Sequence, residues 1–143
     1  MIGYVCIGTN DLPRAGKYYD ALLAVIGATR QGETERYIGW GMSPSDSLLL
    51  LIKPLDGKPA TAGNGTMVSL TVDSKAKVDA LYEKALALGS KDEGPPGLRG
   101  ADFYAAYFRD PEGHKLAGYL ASWNRRGLRR SLDPVSTSSL EPE

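Results

Sequence analysis

The chain has 143 residues, 42% of them hydrophobic, with lysine plus arginine and aspartate plus glutamate balanced at 17 each. That composition is globular rather than disordered, and the length suits one domain or two small fused modules. Zero net charge excludes a global field that would recruit nucleic acid or an anionic membrane, and a single histidine with a single cysteine excludes a site of several imidazoles or thiolates within one copy. The apolar run Leu48 to Ile52 has only strand length, and no secretory apolar region opens the chain. Lone Cys6 cannot form an intramolecular disulfide, so a cytoplasmic protein is expected.

In chain order, Tyr4 to Thr9 reads as a strand with Val5 and Ile7 on one face and Tyr4, Cys6 and Gly8 on the other. Asn10 or Asp11 caps a helix that tolerates Pro13 in its first turn, repeats apolar residues at Leu12, Ala15, Tyr19, Leu22 and Ile26, and ends at Gly27. Strands are predicted at 28–31, 37–42 and 47–54 between Gly-, Ser- and Asp-rich turns. The pattern then returns at a constant offset: Val5, Ile7, Tyr19 and Leu23 match Val68, Leu70, Tyr82 and Leu86. In this second copy Ser74 is the candidate cap, Val78, Leu81, Tyr82 and Ala85 form the buried stripe, and Gly89 closes the helix.

A short strand near Lys91 follows, then 93–100, rich in Gly and Pro and read as a loop at a cavity mouth. Phe103 to Tyr119 reads as a hairpin around Asp110-Pro111-Glu112-Gly113, where Pro presets φ and Gly accepts a positive φ. Phe103, Ala105, Tyr107 and Arg109 share one face of its first strand, and Tyr104, Ala106 and Phe108 the other. Aromatics on both faces imply helices on one side and a cavity on the other. The expected organisation is a βαβββ module at 1–54, a Gly/Pro linker at 55–66, a second βαβββ module at 67–123 and a polar, flexible tail at 124–143, whose arginines are offset by carboxylates. The fold class is α+β: two modules in tandem, with mixed sheets curling round a cavity and helices outside.

The repeat, the linker and the closing DPEGHKL hairpin resemble the vicinal oxygen chelate superfamily, which includes glyoxalase I, bleomycin-resistance proteins, fosfomycin-resistance enzymes and extradiol dioxygenases. The resemblance covers about residues 3 to 122 and implies paired modules around a ligand cavity, often in a homodimer. It also implies a metal site in some members, with His at the inward position opening the first strand of each module, Glu on the last strand and a further ligand on the last strand of the first module. Those positions hold Tyr4, Met67, Ala117 and the run 47–52, which offers no carboxylate or imidazole, so no metal and no cofactor is expected.

Tyr4, Cys6, Met67, Ser69, Tyr107, Ala117 and Tyr119 share the inward face by alternation and either line an aromatic, mostly neutral pocket or fill it. Trp40 adds stacking or packs in the core, and Arg99 or Arg109 meets an anionic ligand group. Cys6 is favoured as a packing thiol and His114 as a structural or exposed turn residue, with Asp110 serving the turn and Glu112 left to solvent. The reading is a metal-independent binder of a small aromatic or hydrophobic molecule. Its alternatives are a glyoxalase- or dioxygenase-type enzyme, a lyase, isomerase or oxygenase using Tyr hydroxyls or relocated ligands, and a protein-interaction module.

Overall fold

The computed structural model describes residues 1–121. The expected tail at 124–143, with its arginine cluster, lies outside the described residues. The elements are β1 (Tyr4–Gly8), α1 (Leu12–Ala24), β2 (Thr29–Glu33), β3 (Tyr37–Gly41), β4 (Leu48–Ile52), β5 (Met67–Thr71), α2 (Lys75–Ala87), β6 (Lys91–Leu98), β7 (Phe103–Arg109) and β8 (Lys115–Ala121). They form two four-stranded mixed sheets, β1-β4-β3-β2 and β5-β8-β7-β6, the architecture of two tandem βαβββ modules in the α+β class. In each, the first strand pairs in parallel with the last, and the remaining pairs are antiparallel.

The caps explain where the helices start. Asp11 Oδ1 accepts from Arg14 N at 3.1 Å and Ser74 Oγ from Lys77 N at 3.2 Å, each satisfying an amide that the first turn leaves without a partner. Each helix then lays its apolar stripe on one face of its own sheet. Ile38 and Trp40 meet α1, while Tyr104 donates to Asp79 of α2 at 2.6 Å and Gly118 lies so close to Leu81 that a Cβ there would stand 2.7 Å from Leu81 Cδ2. One apolar core, including Tyr19, Leu22, Trp40, Leu51, Leu81, Phe108 and Leu116, runs through both modules. No helix is long and apolar enough to cross a membrane among the described residues.

The strand plan needs one correction. The segment 93–100, read as a loop, is mostly strand: β6 runs to Leu98 through Pro95 and Pro96, with register shifts between Asp92 and Gly94 and between Gly94 and Gly97. Among the described residues β6 pairs only with β7, and on an edge strand a proline's missing N–H can point outward without breaking a ladder bond.

The copies have diverged where they meet. Leu23 is buried while its counterpart Leu86 is exposed, and Tyr19 bonds into the other module while Tyr82 bonds to Asp92 of its own.

Candidate functional site

The face of β5-β8-β7-β6 turned away from α2 carries three cross-strand rows: Met67–Lys115–Arg109, Ser69–Ala117–Tyr107 and Thr71–Tyr119–Ala105. Strand alternation puts every member of these rows on one side, so the face follows directly from the register. The Phe103 and Tyr119 rings stack at 5.3 Å, and Tyr107 is flanked by two cations, Lys115 Nζ at 5.5 Å and Arg99 Cζ at 5.6 Å from its ring centre. Both rings of that pair and Tyr107 are half-buried, so they remain reachable. Ala117 is 1% exposed, seated between Ser69 and Tyr107 as the floor of the middle row.

The two arginines differ. Arg109 Nε donates to Glu93 Oε1 at 2.7 Å and Nη1 to the Gly113 carbonyl at 2.9 Å, and its hydrogen bond is the main cause holding the Glu93 carboxyl below its ordinary range. Its charge is therefore already matched. Arg99 Nη2 donates to the Pro95 carbonyl at 2.7 Å and forms no ion pair among the described residues, and its guanidinium lies over the Tyr107 ring.

The helix-free face of the first sheet holds Tyr4 and Cys6, paired with Leu48 and Leu50 across β4. Tyr4 is 64% exposed and Met67, which opens β5, is 44% exposed. Trp40 is elsewhere. It is 1% exposed on the helix side, its Nε1 donates to Asp20 at 2.9 Å, and its ring tilts against Tyr19 at 5.7 Å. The signal was present in the sequence: Trp40 shares the parity of Ile38, and the flanking Gly39 and Gly41 mark the opposite face. Arg30, bonded to Asp20 at 2.8 Å and stacked over Trp40, lowers the Asp20 carboxyl and closes this corner.

A second constellation joins the modules. The DPEGH turn closes through Gly113 N to the Asp110 carbonyl at 2.9 Å, with Gly113 at φ +93°. Buried Asp110 accepts from Tyr19 Oη at 2.6 Å, Glu112 N at 3.0 Å and His114 N at 2.9 Å. Glu112 is not left to solvent: it accepts from Thr9 Oγ1 at 2.6 Å and Asn10 N at 2.7 Å, at the start of α1. His114 is buried, its Nε2 donating to the Gly8 carbonyl at 2.7 Å, which is a structural role. Burial first, then the nearby Asp110, pushes the Tyr19 phenol well above its ordinary range. Tyr18, donating or accepting with Ser90 Oγ at 2.5 Å, is also raised by burial. A cavity of about 400 Å³ opens beside this corner, walled by Ala15, Tyr18, Leu88 and Pro111. This junction was not legible beforehand, because nothing local marks Thr9 and Asn10 as partners of a turn at the other end of the chain.

Residues 1–117 match the model of the Glyoxalase/Bleomycin resistance protein/Dioxygenase superfamily. The chain belongs to that superfamily. It is similar to a glyoxalase/bleomycin resistance protein from Albidiferax ferrireducens T118, at 34% identity over 83% of this chain and 97% of that one, with a TM-score of 0.77. The fold is also shared with the hypothetical protein SA1046 from S. aureus (22% identity, 85% and 93% covered, TM-score 0.67) and the fosfomycin resistance protein FosX from Mesorhizobium loti (18% identity, 88% and 96% covered, TM-score 0.62). No curated protein matches the chain.

The metal implied by the resemblance can be tested on the donors present. Tyr4 supplies a phenol, Met67 a soft thioether, Ala117 a buried methyl, and the whole of β4 is Leu and Ile. Among the described residues no group of three or more His, Cys, Asp or Glu is arranged to hold an ion. These residues do not fit the group, since a divalent ion held through imidazole and carboxylate would find neither.

Proposed function

We propose that this superfamily member binds a small, flat aromatic or hydrophobic molecule on the helix-free sheet faces, without metal or other cofactor. The observation that carries the reading is Tyr107, half-buried between the cations of Arg99 and Lys115 and next to the stacked Phe103–Tyr119 pair. Such a surface stacks on a π-system and attracts an acidic substituent, so an aromatic carboxylate or phenolate suits it best. Met67, Ser69 and Ala117 complete the second-sheet wall. Tyr4 and Cys6 contribute from the first sheet, Arg109 orders Glu93, and Trp40 has no part. Exposure of Tyr4 and Met67 supports closure of these faces by a second copy, giving a homodimer. With one thiol and no disulfide to protect, the protein works in a reducing cytoplasm.

The test is metal analysis of purified protein together with a thermal-shift screen of aromatic acids and of Zn, Ni, Mn, Fe(II) and Co. An aromatic acid that raises the melting temperature of wild type, with binding weakened about tenfold in Tyr107→Ala, supports the proposal. Stoichiometric bound metal, with turnover lost to a chelator, overturns it in favour of an enzyme with other ligands.

A further inference from the structure

The edge strand β6 is shaped around the side chain that follows it, Arg99. Its three steps from Gly94 to Gly97 lie opposite two steps of β7, from Tyr107 to Ala105, and a second register shift falls between Asp92 and Gly94. A bulge leaves its extra residue out of the ladder, and the Pro95 carbonyl inside this one accepts from Arg99 Nη2 at 2.7 Å. Both shifts end on glycine, and each missing side chain makes room for the same guanidinium. A Cβ at Gly94 would stand 3.3 Å from Arg99 Nη2 and 3.1 Å from Tyr107 Cδ2, and a Cβ at Gly97 3.0 Å from Arg99 Nη1.

The guanidinium seated in this way lies 5.6 Å from the Tyr107 ring centre. Lys115, on regular β8, brings a charge to the same ring with no such provision. Charge alone therefore does not account for the seat, whereas orientation does. A planar guanidinium presents paired N–H donors that match the two oxygens of a carboxylate, a pairing that the single oxygen of a phenolate cannot complete. Holding the plane takes two of its five donors, one to Pro95 and one at 3.4 Å to the Leu98 carbonyl.

We propose that Arg99 is the specificity-determining residue of the ligand face: β6 fixes its guanidinium beside Tyr107, and its remaining donors pair with a carboxylate on the stacked ligand. The site thereby selects an aromatic carboxylate over a phenolate or a neutral isostere. This inference rests on the ligand reading above and commits it to one acid and one residue.

Titration calorimetry of the intact chain with nitrobenzoate, nitrobenzamide and nitrophenolate, which share one ring, tests it. Wild type should bind nitrobenzoate about tenfold more tightly than either of the others. Arg99→Gln should abolish that preference while leaving nitrobenzamide binding unchanged, which also shows that the site of the variant is folded. Arg99→Lys should not restore it, because an ammonium has no fork. Gly97→Ala pushes on the flexible tip of Arg99 rather than on backbone, and should remove most of the preference with Arg99 still present. A preference that survives Arg99→Gln, returns with Arg99→Lys or is untouched by Gly97→Ala overturns the proposal. So does an Arg99→Gln variant that only melts earlier, which would make Arg99 a pin holding β6 on Tyr107. Wild type that binds all three alike overturns this inference alone, whereas wild type that binds none overturns the ligand reading and this inference with it.

Discussion

Tyr19→Phe isolates the bond that ties α1 to the second module. The Tyr19 hydroxyl donates to Asp110 Oδ2 at 2.6 Å, with Tyr19 1% and Asp110 5% exposed, so the substitution takes one donor from a largely buried carboxylate. A hydrogen bond to a charged group contributes about 1.5–3 kcal/mol, against about 0.5–1.5 kcal/mol for a neutral pair. Tyr18→Phe is the neutral control, because its partner is the Ser90 hydroxyl. For a chain of this size 1 kcal/mol moves the melting temperature by roughly 3–4 °C, so Tyr19→Phe should lower it by roughly 5–10 °C and Tyr18→Phe by less than about 5 °C. Urea unfolding at pH 7 gives the free energies directly. The pH dependence adds a signed check. Both phenols are raised in the folded state by burial, so the unfolded chain loses its protons first, above about pH 10, and there binds fewer than the folded chain. Each contribution is intact below that pH and falls by about 1.4 kcal/mol per pH unit above it. Wild type should therefore lose about 2.8 kcal/mol per unit from this pair, and either Phe variant half as much. Equal costs for the two variants would refute the assignment of Asp110 as the buried charged acceptor, and an unchanged alkaline slope would refute the burial of the two phenols as the cause of their raised pKa.

Three further outcomes follow from the same geometry. Glu112→Ala leaves the buried Thr9 hydroxyl and Asn10 N without their acceptor and should cost about 1–3 kcal/mol in urea unfolding, with Glu112→Gln recovering part of it because one amide oxygen still accepts. Gly118→Ala drives a Cβ against the fully buried Leu81 and should cost about 1–3 kcal/mol, whereas Gly57→Ala, where a Cβ meets open space, should owe any loss to backbone strain at φ +71° alone. In acid, protonation of Asp20 removes the negative charge to which Trp40 Nε1 donates. Because its folded carboxyl lies below the ordinary range, that contribution is present above about pH 4 and lost on acidification, so Trp40 emission should titrate below about pH 4 in wild type but not in Asp20→Asn.

Much of the fold was legible because its determinants are local. The Asp11 and Ser74 caps, the two apolar stripes and the DPEG turn act within a few residues of themselves, and their repetition carries the module plan. β6 was missed because Pro95 and Pro96 read as breakers unless the strand is known to lie on an edge. Of the candidate site, alternation grouped Met67, Ser69, Ala117, Tyr107 and Tyr119 on one face. For Trp40, alternation alone leaves stacking and core packing open, and the parity it shares with buried Ile38 is what points to the core.

The sequence by itself determined two βαβββ units, their helix starts and stops, and which side of each strand carries aromatics, because capping, turn chemistry and alternation operate over short distances. Tertiary structure alone decided how the units meet. That Glu112 serves Thr9 and Asn10, that Asp110 holds Tyr19 and that Glu93 occupies Arg109 all depend on contacts between residues far apart in the chain. Burial then turned ordinary polar side chains into the ones that matter, since a carboxylate removed from water must find its donors within the fold.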